Sequence, residues 1–265
     1  MSITIKHNIS LGGSGTTPMV FGHGFGCNQV MWRHIAPAFH ASHRVVLFDY
    51  VGAGGSDMSC YDPSRYDSLQ PYADDVCSML RALGMRDAVF VGHSVSCMIG
   101  ALAAIAAPEL ISRLVMIGPS ARYIDDGAYV GGFTRQDIDN LIAFLDDNYL
   151  AWARTMAPVI TGRQEGSAQS DELADSFCRT DPAIARQFAR VTFLGDNRAD
   201  LPRVPVPTLV MQCAQDAIAP EAVGKYVHQA LPDSRYVRLE AIGHCPHLSA
   251  PQETIAAIAA FLGEQ

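Results

Sequence analysis

The chain has 265 residues, 49% hydrophobic and 17% charged, and its 27 acidic against 19 basic residues leave a formal charge of −8. So much apolar content with so little charge excludes a disordered chain, and the length suits one α/β domain with a sizeable core. The acidic balance, with no run of Lys or Arg, argues against nucleic acid or an anionic membrane surface as a partner, and the longest apolar stretch, 98–108, is too short to span a bilayer.

Short β-branched runs alternate with longer helical patterns along the chain, which predicts a mostly parallel sheet flanked by helices. Strands are expected at 18–21, 44–48, 88–92, 114–117, 208–212 and 235–239. Their near-continuous apolar character is what a sheet covered on both faces needs. Helical spacing predicts helices at 72–83, stopped by Gly84, at 96–107, almost wholly apolar and ended before Pro108, at 137–150 and at 253–262. From about 121 to 197 the alternation lapses and only helical patterns remain, so this stretch reads as a helical cap inserted between core segments 1–120 and 198–265, the plainer alternative being a long crossover connection. Seven cysteines with no regular framework and no C-x-x-C pair point to reduced thiols and a cytoplasmic setting, and residues 1–10 lack a signal segment.

Gly92-His93-Ser94-Val95-Ser96 lies where a buried strand meets a buried helix. A sharp strand–turn–helix elbow presents a nucleophilic serine above the sheet, usually as G-x-S-x-G, and here Ser96 replaces the last glycine, without that residue's freedom in φ. Serine needs a base and an orienting acid, in the chain order Ser, Asp, His for this arrangement. Asp216, after the 208–212 strand, and His244, in Gly243-His244-Cys245-Pro246-His247, both fall in loops at strand C-terminal ends, where α/β sheets place their chemistry. His247 is the rival base, although its place beside the final helix favours local packing; Asp200 and Asp233 are weaker candidates for the acid. An oxyanion hole needs two backbone N–H groups, expected from Val95, after the nucleophile, and from Phe25 in the loop His23-Gly24-Phe25-Gly26. Gly12-Gly13-Ser14-Gly15 lacks the Gly-Lys-Ser/Thr of a phosphate loop, and no His/Cys/Asp spacing implies a metal.

Taken together, these residues resemble the α/β-hydrolase superfamily along the whole chain, and within it the RsbQ-like group of bacterial stress-signalling hydrolases and plant strigolactone and karrikin receptors. The matching stretches are 24–29, 48–52, 92–96, 131–133 and 243–251, and the GHSVS elbow is a habit of that group. The resemblance implies the α/β-hydrolase fold, Ser94, Asp216 and His244 as a triad, Phe25 and Val95 as oxyanion donors, and no cofactor. It also implies a V-shaped four-helix lid over an apolar pocket lined by Phe25, His93, Tyr123, Phe133, Leu141, Trp152, Met156 and Phe193. Met156 stands where the plant receptors commonly have an aromatic residue, and Asn28 where the group often has Asp. Two roles follow from the resemblance: a serine hydrolase of small, largely apolar esters or lactones, or a slow ligand-sensing hydrolase whose lid engages a signalling partner. C–C bond hydrolases and cofactor-free perhydrolases share the same triad.

Overall fold

The apolar runs become the strands of one seven-stranded sheet in the computed structural model, which describes residues 2–263. The strands are β1 (Ser10–Gly12), β2 (Thr17–Gly22), β3 (His43–Leu47), β4 (Ala88–His93), β5 (Ile111–Ile117), β6 (Thr208–Gln215) and β7 (Ser234–Ile242), in the spatial order β1-β3-β2-β4-β5-β6-β7. All neighbours pair parallel except β1, which runs antiparallel to β3 at the edge. The six expected strands are present. β1 has no counterpart in the sequence reading because three residues, none of them buried, carry no alternation to read.

Side chains alternate across the sheet and meet hydrocarbon on both sides. Val89 and Val91 of β4 and Val115 and Ile117 of β5 enter one cluster, with Trp32, Phe39 and Ile258. Phe90 of β4 and Leu114 and Met116 of β5 enter the other, with Val76, Leu80 and Ile99. This two-sided burial is why the strands read as continuous apolar runs.

The helices are α1 (Ile3–Lys6), α2 (Gln70–Ala82), α3 (Val95–Ala106), α4 (Arg135–Asp147), α5 (Tyr149–Thr161), α6 (Ala168–Cys178), α7 (Pro182–Phe193), α8 (Glu221–Ala230), α9 (Pro246–Ser249) and α10 (Pro251–Leu262). The stretch between β5 and β6 that lost the strand rhythm carries α4 to α7. The helix expected at 137–150 is two helices. Asn148 ends α4 at φ −147° and ψ 85°, and its side chain then accepts the Ala151 N–H at 3.0 Å to start α5. A short polar side chain that caps a helix start competes with helix continuation, which periodicity alone does not register. Among the described residues no helix is long and apolar enough to cross a membrane.

Candidate active site

Ser94 stands between β4 and α3 at φ 57° and ψ −123°, a left-handed backbone that a serine adopts at a cost of roughly 1–3 kcal/mol. Two bonds hold it there: the Ser94 N–H donates to the Ile117 carbonyl and the Cys97 N–H to the Ser94 carbonyl, both at 2.9 Å. Gly92 is required by space, since a Cβ there would lie 2.6 Å from the Ser96 carbonyl oxygen. The position of Ser96 needs no such freedom. It is helical, with no positive φ, and its hydroxyl donates to the His23 carbonyl at 2.5 Å and accepts the Tyr50 hydroxyl at 2.8 Å. Gly22 leaves room for that pair, because a Cβ would lie 2.7 Å from the Tyr50 oxygen and 3.0 Å from the Ser96 oxygen. The serine that looks like a defect in the elbow therefore fastens it to the loop carrying Phe25.

Asp216 and His244 meet from the ends of β6 and β7. His244 Nδ1–H donates to Asp216 Oδ2 at 2.7 Å, with both side chains almost fully buried. The other carboxylate oxygen accepts the N–H groups of Ile218 at 2.8 Å and Ala219 at 3.0 Å, so the acid is fixed from both sides. With Nδ1 engaged, Nε2 carries the lone pair, and no group among the described residues partners it. The backbone of His244 is held as well: its N–H donates to the Ile160 carbonyl of α5 at 2.6 Å, and His93 Nε2–H donates to its carbonyl at 2.8 Å. Gly118, at φ 59°, lets the imidazole approach, for a Cβ there would lie 2.9 Å from His244 Cε1.

His247 lies elsewhere. Its ring packs 4.9 Å from Trp32 and 4.4 Å from His93, centroid to centroid, and neither nitrogen has a partner among the described residues. Burial pushes its pKa down to about 3, with electrostatic repulsion from the neighbouring His244 and Arg33 acting in the same direction. Burial likewise drives His93 well below the ordinary imidazole value. Among the described residues, no acceptor takes the N–H of Phe25 or of Val95.

Ser94, His244 and His93 open on one cavity of about 30 Å³, whose walls include Phe25, Leu141, Trp152, Met156 and Phe193. Tyr123 and Phe133 are not among its walls. Tyr123 packs 5.1 Å from the Phe193 ring and its buried hydroxyl interacts with the Ser94 side chain. Phe133 is only half-buried, packs against the core, and closes its backbone back onto Tyr123 and Ile124. The walls that sequence reasoning missed include Cys27, Ile160, Leu173, Phe177, Thr192, Ile218 and Cys245. On α6 and α7 the only signal for them was helical spacing, which marks a buried face without saying what it is buried against. Cys27 and Cys245 are not rival nucleophiles, because burial raises the first thiol to about 12 and the second well above its ordinary value. A larger groove of about 570 Å³ lies on the outer side of Cys27, near Asp49 and Arg179, and does not reach Ser94. Asp49 there already accepts from Asn8, Gln29 and Gly55, which marks a structural carboxylate.

Comparison with known proteins agrees with this architecture. Residues 19–258 match the model of the alpha/beta hydrolase family. The karrikin insensitive 2 receptor CA of Petunia hybrida is 37% identical over 250 residues, covering 94% of this chain and 93% of that one. The strigolactone esterase D14 of Arabidopsis thaliana is 38% identical over 247 residues, covering 93% and 92%. The solved structure of olei00960, a hydrolase from Oleispira antarctica, superposes with a TM-score of 0.96 at 37% identity, covering 99% and 97%.

Proposed function

The chain belongs to the alpha/beta hydrolase family, and from that footing we propose that it is a serine hydrolase cleaving a small, largely apolar ester or lactone. One observation carries the reading: a buried His244–Asp216 pair, bonded at 2.7 Å, presents an unpartnered Nε2 to the cavity that Ser94 also lines. In the proposed reaction His244 Nε2 takes the Ser94 proton as the oxygen attacks the carbonyl. Asp216 holds the imidazole tautomer and stabilises the imidazolium. The Phe25 and Val95 amides receive the oxyanion, and water activated by His244 then releases the acyl group. The apolar walls supply a dry site for a hydrophobic acyl or lactone ring. Residues 121–197, with α4 to α7, form the lid in this proposal, and no cofactor takes part. The test is Ser94→Ala. Hydrolysis of 4-nitrophenyl acetate and covalent labelling by a serine-directed phosphonate, read by intact mass, both disappear while the circular dichroism spectrum is unchanged. Labelling retained on another residue overturns the assignment.

The cavity volume favours a second reading. At about 30 Å³ the cavity is tight for an ester or lactone, which couples admission of either to movement of the helices above it. Arg33 on the core side grips Glu172 of α6 through two bonds, and the Ser176 hydroxyl donates to the Gly26 carbonyl at 2.9 Å, so that movement breaks specific contacts. A ligand sensor that turns over slowly and signals through its lid to a protein partner uses the same parts. Many rapid cycles on 4-nitrophenyl acetate favour the enzyme; slow turnover with a ligand-dependent melting shift favours the sensor.

A further inference from the structure

Thr192 sits near the end of α7, only 5% exposed, and its hydroxyl has no partner among the described residues. A buried helical threonine ordinarily bonds the carbonyl four residues back. The other two buried helical threonines do so: Thr161 donates to the Ala157 carbonyl at 2.8 Å and Thr254 to the Ala250 carbonyl at 3.0 Å. Thr192 does not bond the carbonyl of Phe188. It also lines the cavity that holds Ser94 and His244. From α5 the same cavity receives Trp152, whose indole N–H is likewise unpartnered, while Leu141 and Met156 supply hydrocarbon. A buried hydroxyl without a bond is unfavourable, and valine has the same shape without that cost. Folding alone therefore favours valine at this position, and the benefit of a hydroxyl must come from what enters the cavity.

Resting on the hydrolase reading, we propose that Thr192 is a specificity-determining residue. Its hydroxyl hydrogen-bonds an oxygen on the non-reacting part of the substrate, so the preferred small ester or lactone carries a second oxygen, as ether, hydroxyl or carbonyl, beyond the scissile group. A substrate of hydrocarbon alone leaves the hydroxyl unpaired in the complex, and a site built to bond a substrate oxygen discriminates against the analogue that lacks it.

The experiment compares 4-nitrophenyl butyrate with its 2-, 3- and 4-methoxy derivatives on the wild type, Thr192→Val and Thr192→Ser. The wild type prefers at least one methoxy ester over butyrate in kcat/KM. Thr192→Val erases that preference, lowering kcat/KM on the favoured methoxy ester about tenfold more than on butyrate, the scale of one hydrogen bond, with the melting temperature unchanged or higher. Thr192→Ser keeps the preference. Equal losses on all four esters, a lowered melting temperature in Thr192→Val, or a selectivity that the valine variant does not alter overturns the role of Thr192 and leaves the hydrolase standing. No turnover of any ester by the wild type overturns both.

Discussion

Replacing His247 by Phe separates two neighbouring histidines and tests the burial argument in one protein. Both ring nitrogens lack partners, so an apolar ring removes no hydrogen bond and keeps the packing against Trp32 and His93. The folded protein holds His247 neutral down to about pH 3, whereas the unfolded chain protonates it below its ordinary value of 6.5. Between these values the unfolded state binds the extra proton. Stability is therefore fully present above pH 6.5 and is lost as pH falls, by about 1.4 kcal/mol per pH unit for this one group. At pH 5, about 1.5 units below the unfolded value, the loss is roughly 2 kcal/mol. His93 is depressed in the same direction by burial, so the wild type is more acid-sensitive still. Urea unfolding at pH 8 and pH 5 gives the difference directly: the wild type loses about 2 kcal/mol more than His247→Phe over that interval. Hydrolysis at pH 8 persists in the variant, because the His244–Asp216 bond is untouched. An identical acid sensitivity in both proteins refutes the burial argument, and loss of hydrolysis transfers the role of base to His247.

Asp216→Asn leaves an amide where one carboxylate oxygen accepts from Ile218 and Ala219 and the other faces His244 Nδ1. The amide oxygen stays with the two backbone donors, its NH₂ group faces the imidazole, and the wrong tautomer follows. Steady-state kinetics then show kcat lower by on the order of 10⁴-fold with KM little changed, since Asp216 does not line the cavity. Ser96→Ala leaves the Tyr50 hydroxyl and the His23 carbonyl short of a bond, lowering stability by about 2–4 kcal/mol and kcat by roughly tenfold to a hundredfold as the Phe25 loop loosens. Tyr50→Phe keeps the Ser96–His23 bond and so keeps kcat; an equal loss in both variants removes the anchoring role of Ser96.

The legible part of this protein was local. β2, β4 and β6 are legible because both faces of the sheet bury hydrocarbon along most of their length, and α3 because it is almost wholly apolar. Ser94 was readable because a strand, a small-residue turn and an apolar helix in succession leave the backbone few conformations. The break at Asn148 was not, since helical spacing runs through a residue whose capping bond appears only once the chain has turned. Nor was the bonding of Ser96, because its partners lie 46 and 73 residues away.

His244 and His247 stand three residues apart in one loop, both after Asp216, and only the place of His247 beside the final helix offers a preference between them. Tertiary structure separates them. β7 ends so that His244 meets an acid 28 residues earlier, while α9 turns His247 beneath Trp32. The cavity is a still more distant product, assembled from the ends of several strands and the inner faces of α4 to α7. Composition and periodicity determine which residues leave water. Only the packed chain determines which of them face one another, because each such contact is set by elements far apart in sequence, and that pairing alone leaves Thr192 with an open hydroxyl where Thr161 and Thr254 have none.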